Sequence, residues 1–213
     1  MAYSWLMRLF DNQLDHEAVE HLKNDEQWQA WEIFLDEQAI AAGIEAKQWL
    51  LDLDSDEMHS LDKLQWDFTK LFLGPMALLA PPWESTYFSE DRLVFQESTL
   101  DVRRAYLKYN FICKGYPNEA DDHIAYELDF MQRLSALTYE AINNEQWEEA
   151  KALINDQSAF LDEHLLKWIG LFSQNIIEHA ETPFYKGVAY VLQGFIEKDQ
   201  LTLLEIKSAI TGS

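Results

Sequence analysis

The chain has 213 residues, of which 16 are Lys or Arg and 38 are Asp or Glu, for a formal net charge of −22. A chain of this length buries roughly 70% of its unfolded surface, so it needs neither a metal nor a disulfide to hold a core. With 48% apolar residues it is not a disordered polymer, and the acidic balance argues against nucleic acid and anionic membrane surfaces and favours basic partners.

Cys113 is the only cysteine, which excludes an intramolecular disulfide and a cysteine-rich zinc site. Glycine and proline number 7 and 5, about half of average usage. With Leu abundant and Val rare, the propensity balance is helical. The longest apolar runs, such as Met76–Ala80, fall far short of the roughly 18 residues a membrane span needs. The first ten residues lack a charged n-region and a small-residue cleavage site, so a cytoplasmic protein without a signal peptide is expected.

Residues 1–73 contain one breaker, Gly43, and predict three or four helices beginning with Ala2–Phe10. Trp28, Trp31, Phe34 and Leu35 form one apolar stripe; Leu61, Leu64, Phe68, Leu71 and Phe72 form a second at helical spacing. Gly74-Pro75 is the expected stop. Residues 74–97 hold three of the five prolines and no helical period, which predicts a long loop of the kind that is usually functional. Its aromatics, Trp83, Tyr87, Phe88 and Phe95, imply a docked loop. Ser98–Phe111 reads as a helix, with Ser98 and Asp101 placed as a capping box. After a turn at Gly115–Asn118 the chain is helical again. Ile124, Leu128 and Met131 begin one stripe, and Trp147–Leu153 forms a short helix. Phe160, His164, Trp168, Phe172 and Ile176 follow at strict i+4 steps, and Thr182-Pro183 caps a last long helix. The expectation is an all-α, single helical globule of about ten helices. Its halves, 1–112 and 119–213, would be joined by the proline-containing loop as a hinge.

Glu119-Ala120-Asp121-Asp122-His123 has two readings. Acidic residues at a helix start cap orphan amides and suit the positive end of the dipole. The same residues beside an imidazole would also hold a cationic ligand. His123 and Glu127 stand at i, i+4 with Asp122 adjacent, which leaves a metal-dependent or hydrolytic enzyme open as an alternative. However, the paired Glu-x-x-His of di-iron bundles and the His-Glu-x-x-His of zincins are both absent, so no metal is expected. His164 reads as a satisfied core histidine. Ser85 lies outside any Gly-x-Ser-x-Gly elbow. Lys114 next to Cys113 would lower the thiol pKa, yet an incidental thiol is the simpler reading. No glycine-rich phosphate loop is present. A third alternative is a generic acidic interaction module.

Pro81-Pro82-Trp83-Glu84-Ser85-Thr86-Tyr87, flanked by Leu71-Phe72, Gly74-Pro75 and Phe95–Thr99, resembles the TorD/DmsD family of cytoplasmic redox-enzyme maturation chaperones. So do Arg103, Arg104, Glu119–Ile124, Leu128, Met131, Phe160, His164-Leu165, Trp168 and Phe184-Tyr185. The likeness covers roughly residues 61–137 and 157–197. Ala120 stands where the family has proline, and the first helix is shorter than the family's. The resemblance implies an all-helical chaperone with no catalysis and no cofactor of its own. It implies binding of the twin-arginine signal peptide of an apo-molybdoenzyme of the DMSO/TMAO reductase type until the molybdenum cofactor is inserted. It also implies a monomer or a swapped dimer, no nucleic acid partner and no membrane span. On this reading Glu84, Glu119, Asp121 and Asp122 supply carboxylates for arginine, and Phe72, Trp83 and Tyr87 line a groove. Ser85 and His123 complete the peptide site.

Overall fold

The computed structural model describes residues 2–24, 26–53, 57–74, 77–89 and 93–211, without the side chains of Glu32, Ile33, 57–60, Ile210 and Thr211. About 77% is helical, and among the described residues there is no strand. Among the described residues ten α-helical segments follow in order. They are α1 (Ala2–Asp11), α2 (His16–Lys23), α3 (Gln27–Phe34), α4 (Glu37–Leu51), α5 (Glu57–Phe68), α6 (Glu97–Lys108), α7 (Ile124–Asn143), α8 (Trp147–Phe160), α9 (Leu166–His179) and α10 (Pro183–Thr211).

Several starts are set by local chemistry. Asp15 and Asp36 accept the amides of Ala18 and Ala39, each at 2.8 Å, as N-caps of α2 and α4. At α6 the cap is Gln96 with Thr99, not Ser98 with Asp101; the Asp101 carboxylate pairs with Arg104 instead. The predicted short helix after Trp147 runs on to Phe160, and a π-turn, Leu161–Leu165, carries it into α9. That turn falls within the strict i+4 stripe, which advances about 40° per step on an α-helix. Bonds closed i→i+5 widen the helix there and offset part of this drift. The helix over 57–68 also ends in a π-turn, Thr69–Leu73. Pro75, half of the expected stop, lies outside the described residues.

The chain forms two compact units, each drawn from separate stretches. The first comprises 1–7, 83–168 and 196–213; the second comprises 8–82 and 169–195. In the second, Phe72 lies 5.0–5.9 Å, centroid to centroid, from the rings of Phe10, Phe68, Phe172 and Tyr185. Asp67 of α5 accepts the amides of Glu181 at 3.0 Å and Thr182 at 2.8 Å, and the Thr182 hydroxyl at 2.6 Å. A buried carboxylate therefore fixes the start of α10, where Thr182 is the predicted cap and its Oγ1 accepts from the Tyr185 amide. In the first unit, Tyr106, Phe111, Phe130 and Phe160 form the aromatic core. Gln157 of α8 accepts from Ser135 and donates to Thr138, tying α8 to α7.

Candidate functional site

All geometry below lies within the first unit. The segment after Pro82 docks on the start of α7. Trp83 is extended and pairs with His123 in an isolated antiparallel bridge. Glu84–Tyr87 then makes a single 3-10 turn. Such a turn leaves amides without partners, and Asp122 takes up two. Its carbonyl accepts from the Glu84 amide at 3.0 Å, and its Oδ2 from the Ser85 amide at 2.7 Å. Oδ1 accepts from the Thr99 hydroxyl at 3.0 Å. This fully buried carboxylate thus joins the loop, the start of α6 and the start of α7.

Asp121 is also buried. Its Oδ2 accepts from Arg103 Nε at 2.7 Å and lies 2.5 Å from Nη2. Cys113 Sγ donates to Oδ1 at 3.3 Å, and the Tyr106 hydroxyl donates to the Asp121 carbonyl at 3.0 Å. Burial and then the Asp121 carboxylate push the Cys113 thiol up to about 12. The charged group against the sulfur is the Asp121 carboxylate, which raises the thiol pKa where the sequence neighbour Lys114 would lower it.

His123 is the true N-cap of α7: its Nδ1 accepts from the Ala125 amide at 3.1 Å. Burial depresses its pKa to about 4, so at neutral pH the ring is uncharged with its proton on Nε2. The indole of Trp83 stands edge-on to this ring at 5.5 Å. Trp83, Tyr87 and His123 are half-buried, and Glu119 is exposed and accepts from the Tyr126 hydroxyl.

Beneath the turn, Glu84 is 2% exposed and its Oε2 is 3.0 Å from His164 Nδ1. His164 is therefore a satisfied core histidine, as expected. Glu127, fully buried, accepts from Trp168 Nε1 at 3.3 Å. Burial, followed by the nearby Glu84 and Asp122 charges, holds its carboxyl well above the usual range.

The structure thus brings Trp83, Glu84, Ser85, Tyr87, Glu119, Asp121, Asp122 and His123 into one neighbourhood. Phe72 belongs to the second unit, in its aromatic core at 2% exposure. Asp121 and Asp122, expected to face a ligand, face inward. Of the ligand set of the enzyme alternative, both Asp122 carboxylate oxygens, His123 Nδ1 and Glu127 Oε2 are spent on internal partners, whereas the buried Glu127 Oε1 has no hydrogen-bond partner. Among the described residues no cluster of His, Cys, Asp or Glu is arranged to hold a metal. Sequence reasoning assigned no role to Thr99, Arg103 or Gln96 in this framework. The one signal for His164 as more than filler is a polar residue in an otherwise apolar stripe.

The sequence model described as "Nitrate reductase delta subunit" matches residues 36–174. The chaperone protein TorD of Aliivibrio salmonicida is 31% identical over 207 residues, covering 92% of this chain and 90% of that protein. The chain belongs to the TorD/DmsD family. The Tat proofreading chaperone DmsD of Salmonella typhimurium is 28% identical and covers 74% of each chain. A solved structure, a putative redox enzyme maturation protein from Archaeoglobus fulgidus, shares the fold. It covers 92% of both chains with a TM-score of 0.51 at 21% identity. In this TorD/DmsD-family chain the residues that carry the resemblance, Trp83–Tyr87 and Glu119–Ile124, are the two segments that the Trp83–His123 bridge joins. No helix among the described residues is long and apolar enough to cross a membrane.

Proposed function

We propose that this TorD/DmsD-family chain is a cytoplasmic, non-catalytic chaperone for a molybdoenzyme of the DMSO/TMAO reductase type. It binds the twin-arginine signal peptide of the apo-enzyme and holds it until the molybdenum cofactor is inserted. The observation that carries this reading is Trp83, held half-exposed by the bridge to His123 with the exposed Glu119 in the same neighbourhood. An aromatic anchor with a fixed backbone and an acidic neighbour suits a ligand that is basic and then apolar. Trp83 and Tyr87 give apolar surface, Glu119 and His123 a polar edge. Asp121, Asp122 and Ser85 hold the loop in place rather than touching the peptide. The relatives' names, chaperone TorD and Tat proofreading chaperone DmsD, agree with it.

Calorimetry with a synthetic twin-arginine leader, its Lys-Lys variant and a scrambled peptide of equal charge tests the proposal. The leader should bind most tightly, and Trp83→Ala should cost about 2 kcal/mol of binding. Equal binding of all three peptides, unchanged by Trp83→Ala, would leave only a generic acidic surface.

A further inference from the structure

The Trp83–Tyr87 turn rests on a buried carboxyl that the peptide site does not use. Glu127, in the first turn of α7, is fully buried, as Glu84 of the 3-10 turn nearly is. Trp168 Nε1 donates to Glu127 Oε2, while the buried Oε1 meets no donor. The Glu84 carboxyl lies against Glu127 within hydrogen-bonding contact, and Asp122 bears on it from the segment before α7. From α6 the Tyr106 hydroxyl also senses Glu127, but it donates to the Asp121 carbonyl. From the π-turn the His164 imidazole is bound to Glu84 and not to Glu127.

Two carboxylates repel in a dry site and form a hydrogen bond only when a proton lies between them. An acceptor buried without a donor is a further cost. A single proton removes both, because it turns the orphaned oxygen into a donor toward Glu84. Asp122 is not its holder, since both Asp122 oxygens already accept, from the Ser85 amide and the Thr99 hydroxyl. The first turn of a helix favours an anion. Burial and the two neighbouring acids act the other way at Glu127 and prevail. Glu127 also reaches both ends of the turn. It meets Glu84 directly, and Tyr87 through Trp168, whose ring lies 5.3 Å from that of Tyr87.

We propose that Glu127 is a positioning residue for the peptide site: as a neutral carboxylic acid it donates to Glu84 and so holds the Trp83–Tyr87 turn on α7. Loss of that proton to solvent leaves two like charges beneath the turn, and the turn lifts. Leader binding therefore falls as pH rises. This last step rests on the peptide-binding role above, whereas the shared proton does not.

The test compares the full chain with Glu127→Gln and Glu127→Met. Infrared spectra at about pH 6 should show a protonated-carboxyl band that Glu127→Gln lacks and that fades in the parent by about pH 9. Over that range the exchange protection of the Ser85 amide, which is bound to Asp122, should fall about tenfold in the parent. In Glu127→Gln it should stay within about twofold, because the glutamine amide donates at every pH. Glu127→Met fills the space without a donor and should lower that protection about fivefold already at about pH 6. Calorimetry with the twin-arginine leader should follow the same pattern, with affinity falling about fivefold in the parent and level in Glu127→Gln. Absence of a band difference between parent and Glu127→Gln at about pH 6 overturns the proposal, as do parallel pH profiles in the two chains. The band and these profiles decide even where Glu127→Met fails to fold; where it folds, parent-like protection in it overturns the proposal too. Level leader affinity over the range where the parent loses its band refutes the positioning role. A chain that shows the band and the change in protection but binds no leader at any pH refutes the peptide role and leaves the shared proton standing.

Discussion

At Asp122 both carboxylate oxygens are occupied, Oδ2 by the Ser85 amide and Oδ1 by the Thr99 hydroxyl. Asp122→Ala orphans both donors in a dry site and should cost about 3 kcal/mol, read by urea unfolding. Asp122→Asn should cost less, since the Thr99 hydroxyl can turn from donor to acceptor. His123 and Glu127 set opposite limits on pH. The folded His123 titrates near 4, below its unfolded value of about 6.5, so its contribution is present above pH 6.5 and lost as pH falls toward 4. A shift of that size is worth up to about 3 kcal/mol. Glu127 is raised, so its contribution is full below about pH 4.5 and is lost as pH rises through its folded pKa. Denaturation across pH should show a maximum between these limits, and Glu127→Gln should flatten the alkaline side alone. A parent-like alkaline limb in that variant would refute the assignment. The sequence makes the cluster at 119–123 legible as chemistry. It does not reveal that its acids point inward, because the deciding partners Ser85, Thr99 and Arg103 lie 37, 23 and 18 residues away.

Gly187 of α10 sets propensity against packing within the second unit. Alanine there would favour an isolated helix by about 1 kcal/mol. A Cβ at this position, however, would lie 2.4 Å from the Ala42 carbonyl oxygen and 2.5 Å from the Ala46 Cβ of α4. Backbone cannot yield as a flexible side chain does, so Gly187→Ala should destabilise by about 2 kcal/mol. A melting temperature at or above the parent's would show that α4 and α10 separate easily. Element type was legible here: Thr182-Pro183 announces the start of α10 through the cap and the N1 proline. The buried acceptor behind that cap was not, since Asp67 is 115 residues away on α5. At α6 the structure caps with Gln96 and Thr99 where the sequence predicts Ser98 and Asp101. The first prevails because Thr99 also bonds Asp122, and Arg104 draws Asp101 outward.

The partition of the molecule is the part least visible in the sequence. One boundary, between Pro82 and Trp83, falls in the proline-containing loop where composition changes. The others, at 7/8, 168/169 and 195/196, fall inside α1, α9 and α10. Helical patterning is continuous there, so nothing local marks them. Net charge, by contrast, is fully legible, and it makes a prediction for the whole chain. At −22 the fold works against its own repulsion, which salt screens within a Debye length of about 10 Å at 0.1 M. Screening also weakens the attraction for a basic leader. Raising NaCl from about 0.02 to 0.5 M should therefore raise the melting temperature and lower leader affinity, two shifts of opposite sign from one cause. The affinity loss should lie mainly in the association rate, because long-range charge steers encounter while Trp83 governs release. Stopped-flow mixing with a labelled leader separates the two rates. A salt effect confined to dissociation would mean that the acidic surface touches the peptide directly and does not merely steer it.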